Sequence, residues 1–226
     1  MRPHSTNTLL ELADRIVERD RRLEPLATYL RLRDKGLRKQ AFAGLSSWLT
    51  EFQSVSFADR RDLVDWLIQL DLEAEVRVLL PHPVHEKIIK PTLDEWIRCE
   101  PYDSAPHRWR GMLYNEFQSL EEAVELDGSD DLARHRLVHE LLEKLYFATH
   151  HLPEGLLFTE KVFFEIADRA EALLDGAKDC EDASHQRKHL HWYRRRVEIW
   201  LEYKEETEPG DFESYFRAKF QDNTGS

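Results

Sequence analysis

Cysteine, glycine and proline are scarce in this 226-residue chain, which has two, eight and nine of them. The two cysteines, Cys99 and Cys180, are too few for a disulfide framework, and we expect both to be buried thiols in a reducing cytoplasm. The few glycines and prolines leave little material for the turns of a protein with many strands. These scarcities exclude the disulfide-rich class and argue against an all-β fold.

Long apolar runs are missing too. No stretch approaches the roughly 18 apolar residues that read as a membrane-spanning helix. The first residues, Met1, Arg2, Pro3 and His4, lead into polar sequence and not into the apolar region of a signal peptide. We therefore expect a cytoplasmic protein with no signal peptide and no membrane span.

Motifs for catalysis are equally scarce. The chain contains no G-x-x-x-x-G-K-[ST] or G-x-G-x-x-G phosphate loop and no G-x-S-x-G nucleophile elbow. His135 and His139 lie one turn apart on a predicted helix that ends at His150 and His151, yet neither His-Glu-x-x-His nor Glu-x-x-His occurs. We expect no cofactor and no enzyme activity, while a small metal-dependent enzyme built on these histidines is the alternative.

The charge is strongly acidic and unevenly spread. The formal net charge is −12; residues 1–50 carry ten basic and six acidic side chains, whereas residues 51–226 carry 22 basic and 38 acidic ones. Such a surface repels the phosphates of nucleic acids, so we expect no nucleic-acid binding. It attracts a basic protein partner, although plain solubility explains the same charge.

Helical spacing and helix caps recur from one end of the chain to the other, with no alternating stretch long enough for a sheet. We predict an all-α fold, a stack of antiparallel helical hairpins in the form of an irregular superhelix or a bundle. It is either one domain over residues 1–226 or has halves at 1–100 and 101–222. The predicted helices of the first half run from Thr8 to Arg21, Pro25 to Gly36, Leu37 to Leu49 and Ser56 onward, followed by a short helix that ends at Leu80 and another from His85 to Lys90. After a break at Pro91, a helix starts at Thr92. The later helices run from Pro106 to Leu126, Asp131 to His150, Leu157 to Gly176, Asp182 or Ser184 onward, and Phe212 to Phe220, and residues 223–226 are expected to be frayed.

Part of this pattern, about residues 106–150, resembles tetratricopeptide-type helical repeats. Trp109, Gly111 and Tyr114 are similar to the aromatic, small and aromatic positions of a repeat's first helix, where a small residue lets the next helix approach. The segment 123–128 resembles the end of a second helix, and 132–138 the start of the next repeat. The interval between Gly111 and Ala123 is shorter than in a regular 34-residue repeat, so the resemblance is to an irregular stack. It implies a concave protein-binding surface.

Candidate partner-binding residues come from several places, each with a purely structural alternative. They are Tyr114 in the repeat-like segment, the acidic residues Glu121, Glu122 and Glu125, the aromatic and imidazole-rich helix end at Tyr146, His150 and His151, and Arg194 and Arg195 in a basic cluster. The helix end could simply be a packed terminus. The arginines could accept a phosphate or an acidic peptide, or could pair with neighbouring carboxylates. We predict a non-catalytic interaction scaffold or adaptor that neutralises or chaperones a basic partner, such as a toxin.

Overall fold

The computed structural model of the chain describes residues 8–74, 79–178, 180–207 and 210–222. Within these ranges every regular element is helical and no strand is present. The all-α prediction is therefore confirmed. No helix in the described ranges is both long and apolar enough to cross a membrane.

The chain divides into two compact units, Met1–Trp109 and Arg110–Ser226. The division falls inside the seventh helix and not at the predicted boundary after residue 100. The first unit contains α1 (Leu9–Arg19), α2 (Glu24–Asp34), α3 (Arg38–Glu51), α4 (Phe57–Glu73), the single turn α5 (His82–Val84), α6 (Lys90–Cys99) and the first part of α7 (Ser104–Tyr114). Short 3₁₀ turns at Arg21–Leu23 and Phe52–Ser54 and a π-helical turn at His85–Ile89 complete it.

The predicted helix caps of the first unit are present. Thr8 and Glu11 form a reciprocal capping box at the start of α1. The Ser56 hydroxyl accepts the Asp59 amide at the start of α4. Gly36 follows α2 with a φ of 73°, the left-handed conformation that favours glycine after a helix.

Two predicted features of the first unit are wrong. The helix is not interrupted at Pro91, because the π-helical turn leads directly into α6 and Pro91 occupies its first turn, where a missing amide donor is tolerated. The prediction that a helix ends at Leu80 is wrong as well, since α4 ends at Glu73 and Leu79 and Leu80 lie in a bend. Part of that predicted helix, residues 75–78, lies outside the described residues.

The second unit begins with the end of α7 and continues with α8 (Phe117–Leu126), α9 (Asp131–Thr149), α10 (Glu160–Asp175), α11 (Glu181–Glu205) and α12 (Phe212–Asp222). The predicted single helix from Pro106 to Leu126 is wrong, because α7 ends at Tyr114. Asn115 adopts a positive φ of 55°, which a short polar side chain tolerates and which a continuing helix does not allow. The predicted frayed end, 223–226, lies outside the described residues.

The core of the second unit is formed by one apolar stripe from each helix. Such fully buried aliphatic and aromatic side chains stabilise a fold by roughly 1.5–3 kcal/mol each. The buried residues include Leu120 of α8, Leu137, Val138, Leu141 and Leu145 of α9, Phe163, Ala167, Ala170 and Leu174 of α10, Leu190, Val197 and Trp200 of α11, and Phe212 and Phe216 of α12.

Helix directions in the second unit follow from contacts at the helix ends. The Arg134 guanidinium, near the start of α9, donates to the Leu173 carbonyl near the end of α10 at 3.4 Å. Lys204, near the end of α11, pairs with Glu160 at the start of α10 at 3.1 Å. Helix α10 is therefore antiparallel to both α9 and α11, and those two helices run in the same direction.

Candidate functional site

Helices α9 and α11 also contact each other along their length. Near their starts, Gln186 Nε2 donates to the backbone carbonyl of His135 at 2.9 Å. Near their ends, Trp200 Nε1 donates to the Pro153 carbonyl, just past α9, at 2.9 Å. Residues three or four apart share one side of a helix, so the parallel pair presents a common surface. We call it the α9–α11 face, consisting of Leu132, His135, His139, Glu143, Tyr146 and His150 from α9 and its C-cap, with Asp182, His185, Gln186, His189, Trp192 and Tyr193 from α11.

One end of the α9–α11 face contains a pocket of ≈ 330 Å³ that collects histidines from two distant parts of the sequence. His135 and His139 come from α9, and His185 comes from α11. The other lining residues are Met112, Leu132, Arg136, Asp182 and Gln186. Within the described ranges, no three His, Cys, Asp or Glu side chains are grouped so as to hold a metal ion.

The middle of the α9–α11 face is aromatic. Tyr146 is 52% exposed, and the half-buried Tyr193 lies close to both Tyr146 and Glu143. Burial raises the pKa of the Tyr193 phenol above its usual range, and the Glu143 carboxylate and the Tyr146 phenol raise it further. A second hollow, of ≈ 380 Å³, is lined by Lys188, His189, Trp192 and Tyr193. This stretch offers aromatic side chains beside a carboxylate.

The candidate residues at the end of α9 are exposed and not packed into a helix terminus. The Tyr146 ring meets the His150 ring edge-on at 6.0 Å between centroids. His150 in turn lies 5.0 Å from His151, and both imidazoles are exposed. Tyr146 and His150 belong to the α9–α11 face, whereas His151 lies just beyond the helix.

The acidic candidates form a separate surface on α8. Glu121 lies 3.7 Å from Arg169 of α10, and Glu122 accepts a hydrogen bond from Gln118 at 3.3 Å. Glu125 is exposed. Tyr114, the last residue of α7, is half-buried and is not part of the α9–α11 face.

The arginine candidates pair with carboxylates of their own unit. Arg194 reaches both Asp168 and Glu171 of α10, the latter at 3.0 Å. Arg195 pairs with Glu198 one turn further along α11 at 2.6 Å. Local ion pairing, the alternative that the sequence left open for this cluster, therefore accounts for both guanidinium groups.

Several residues of the α9–α11 face escaped the sequence analysis. None of Glu143, Trp192 and Tyr193 was predicted as a site residue, although Glu143 lies four positions after His139, and Trp192 and Tyr193 lie three and four positions after His189. Both cysteines were expected to be buried, and that prediction is wrong because both thiols are exposed. Cys99 is the last residue of α6, and Cys180 precedes α11 as its N-cap, two positions where side chains leave the core.

Known proteins give no further guide to the α9–α11 face. No family model, no curated protein and no solved structure matches this chain.

Proposed function

We propose that this protein is a non-catalytic interaction scaffold that binds a basic segment of another protein along the α9–α11 face. The observation that carries the proposal is the exposed Tyr146 beside Glu143 and Tyr193 on two parallel helices. Tyrosine supplies a large contact area at low entropic cost, and aromatic rings attract the cations of lysine and arginine. The nearby carboxylate provides the matching charge.

The arrangement of hairpins supports an irregular stack like that of tetratricopeptide-type proteins. A Cβ atom at Gly111 of α7 would overlap the Leu120 side chain of α8, so this glycine allows the close approach expected of the small repeat position. The recurring Leu-Asp-Gly segments, 126–128 and 174–176, mark the ends of α8 and α10. Each precedes one of the two helices that form the α9–α11 face.

The acidic charge of residues 51–226 supports a basic partner, and the two free thiols support a cytoplasmic role. Residues 51–226 carry 16 more acidic than basic side chains, so a cationic segment is attracted from a distance, whereas nucleic-acid phosphates are repelled. The two free thiols fit a reducing compartment. A basic toxin whose charge must be masked before release is one partner of this chemistry.

Short synthetic peptides test this function directly. One peptide alternates arginine with leucine, and a matched peptide has glutamate in place of arginine. We expect only the arginine peptide to bind, and we expect Tyr146→Ala to weaken its binding by about tenfold or more, as loss of an aromatic anchor does. Tyr102→Ala is the matched control, because Tyr102 is 88% exposed in the first unit. Equal binding of both peptides, or equal effects of the two substitutions, would contradict the proposal.

The acidic surface of α8 contributes to the rate of capture. Changing Glu121, Glu122 and Glu125 to glutamine should slow association with the arginine peptide and change dissociation much less. Added salt should act the same way, because the screening length falls from about 10 Å at 0.1 M to about 3 Å at 1 M. An association rate that responds to neither change would remove α8 from the binding mechanism.

A small helical metal-dependent enzyme is the second candidate, favoured by one observation. His135, His139 and His185 line a single pocket although 50 positions separate His135 from His185. Imidazole is the commonest protein ligand of zinc and related metals. Elemental analysis of protein purified without chelators distinguishes the candidates, since about one tightly bound metal per chain would favour the enzyme.

A further inference from the structure

Cys180 lies within reach of a base whose orientation is fixed by a third side chain. Its Sγ atom is 3.5 Å from Nε2 of His135. Nδ1 of the same imidazole is 2.9 Å from Oε1 of Gln186. Cys180 and Gln186 belong to the start of α11, and His135 belongs to α9, so the parallel pairing of these helices brings the three groups together.

The hydrogen bonds determine which nitrogen of His135 carries the proton. Gln186 Nε2 donates to the His135 backbone carbonyl at 2.9 Å, which turns Oε1 of the amide toward the ring. An amide oxygen only accepts, so Nδ1 must carry the proton and donate to it. In the neutral imidazole, Nε2 then bears the lone pair and faces the Cys180 thiol. His135 is therefore placed to accept the thiol proton, and Gln186 positions it.

The start of α11 favours the negative charge that remains on sulfur. Cys180 is the N-cap, and its Sγ accepts the backbone amide of Ala183 at 3.4 Å. An anion at this position is also stabilised by the helix dipole. The thiol is exposed, so a reagent in solution can reach it.

Other charged groups near this site are mostly balanced. Arg136, which lines the pocket beside His135, pairs with Glu140 at 2.7 Å. Lys178 pairs with Asp131 at the start of α9 at 2.8 Å. Among the described residues, the other titratable neighbours include Glu181, which follows Cys180 in the chain, and Asp182, His139 and His185 in the pocket.

We propose that Cys180 is a reactive thiol that His135 activates for exchange with low-molecular-weight disulfides. The thiol proton moves to His135 Nε2, and the Cys180 thiolate attacks one sulfur of the disulfide. A bond forms between the two sulfurs while the original disulfide bond breaks, and the departing thiolate takes the proton back from Nε2. The Cys180 sulfur is oxidised and the departing sulfur is reduced, so the products are a mixed disulfide on Cys180 and one free thiol. The ≈ 330 Å³ pocket beside His135 can receive the group that stays attached.

Ellman's reagent, an aromatic disulfide whose released thiol is coloured, measures this reaction. The full chain with Cys99→Ser reports Cys180 alone, and the chain with Cys180→Ser reports Cys99, which is also exposed. No hydrogen bond joins Cys99 to a histidine in the described part of the chain, so it serves as the reference thiol. An ordinary thiol is only a few per cent ionised at about pH 7. We therefore expect Cys180 to react about tenfold faster than Cys99 in the folded protein, and both at similar rates in urea.

Substitution of His135 distinguishes a thiol that is activated by a base from one that reacts only because it is exposed. In the Cys99→Ser background, His135→Asn should slow the reaction of Cys180 about tenfold near pH 7. The deficit should disappear near pH 10, where an ordinary thiol ionises without a base. Gln186→Leu should produce a smaller deficit with the same pH dependence. An unchanged helical spectrum, and an unchanged Cys99 rate when His135→Asn is combined with Cys180→Ser, verify folding.

A second reagent identifies the product. Oxidised glutathione at a pH of about 7 should add one glutathionyl group to Cys180, as seen by mass spectrometry, and a reducing thiol should remove it. Two results would overturn the proposal: a Cys180 rate no faster than that of Cys99 in the folded protein, or a His135→Asn deficit that persists unchanged at high pH.

Discussion

Gly111 offers the sharpest test of how the second unit is packed. A Cβ atom there would overlap Cγ and Cδ2 of Leu120 and would lie 3.1 Å from the Leu120 backbone nitrogen. Rotation of the leucine side chain relieves only the first overlap, so Gly111→Ala must also move α7 away from α8. Such overpacking costs about 1–3 kcal/mol, against the roughly 0.5–1 kcal/mol that alanine normally contributes over glycine inside a helix. We therefore expect Gly111→Ala to lower the free energy of unfolding by about 1 kcal/mol, and by at most about 2.5 kcal/mol.

Gly44 in α3 provides the matched control. Apart from its two chain neighbours and the nearby backbone of its own helix, no atom of the described residues lies within 4 Å of a Cβ built at this position. Gly44→Ala should therefore raise the free energy of unfolding by about 0.5–1 kcal/mol, because alanine favours a helix more than glycine does. Urea unfolding of the full chain, followed by far-ultraviolet circular dichroism and by hydrogen exchange of amides in each unit, measures both changes.

A double-mutant cycle identifies the cause. Leu120→Ala alone should cost about 2–5 kcal/mol, because the side chain is fully buried. In that background Gly111→Ala should become neutral or stabilising, since its methyl group enters space that the leucine occupied. Additive losses from the two substitutions, or a gain from Gly111→Ala in the original chain, would refute the packing argument.

Three further predictions concern single side chains. Burial raises the pKa of Asp71 from 3.8 to about 6, so its folded state loses stability as pH rises through that window. Asp71→Asn should raise the free energy of unfolding by about 1–2 kcal/mol above pH 6 and leave it unchanged near pH 4, as urea unfolding at several pH values would show. An equal increase at both pH values would contradict this. His139→Ala should leave the thermal midpoint within about 2 °C, because its imidazole is exposed; a large drop would indicate a bound ligand. Thr159→Ala removes the side chain that accepts the Val162 amide at the start of α10. It should lower the free energy of unfolding in urea by about 1 kcal/mol. An unchanged free energy would mean that solvent replaces the cap.

Local patterns predicted most of the fold, because helix caps and apolar spacing act within a few residues. Thr8, Ser56 and Gly36 were identified in this way, and each begins or ends the helix expected. The end of α7 at Tyr114 was not predicted. Asparagine adopts the left-handed conformation much less regularly than glycine does, so Asn115 is a weak signal for a helix end. The apolar spacing also continues across it.

The candidate site was predictable only in part, since it depends on which helices lie side by side. His135 and His139 were identified from their spacing on one helix. The contacts of His135 with Cys180 and Gln186, which lie 45 and 51 residues further along the chain, depend on α9 and α11 running parallel. No periodic pattern within one helix contains that information, and Cys180 was misjudged because its role as an N-cap has no strong sequence signal.

The end of α10 also determines where this protein can change in length. Arg134 from α9 and Arg187 from α11 donate to the consecutive carbonyls of Leu173 and Leu174, and a Cβ at Gly176 would collide with the Arg134 guanidinium. One residue inserted into α10 would turn its end by about 100° and carry both carbonyls away from their donors. A change in length should therefore be tolerated better in the exposed turn around Glu154, between the Pro153 carbonyl that accepts Trp200 and the Thr159 cap, than within α10 itself.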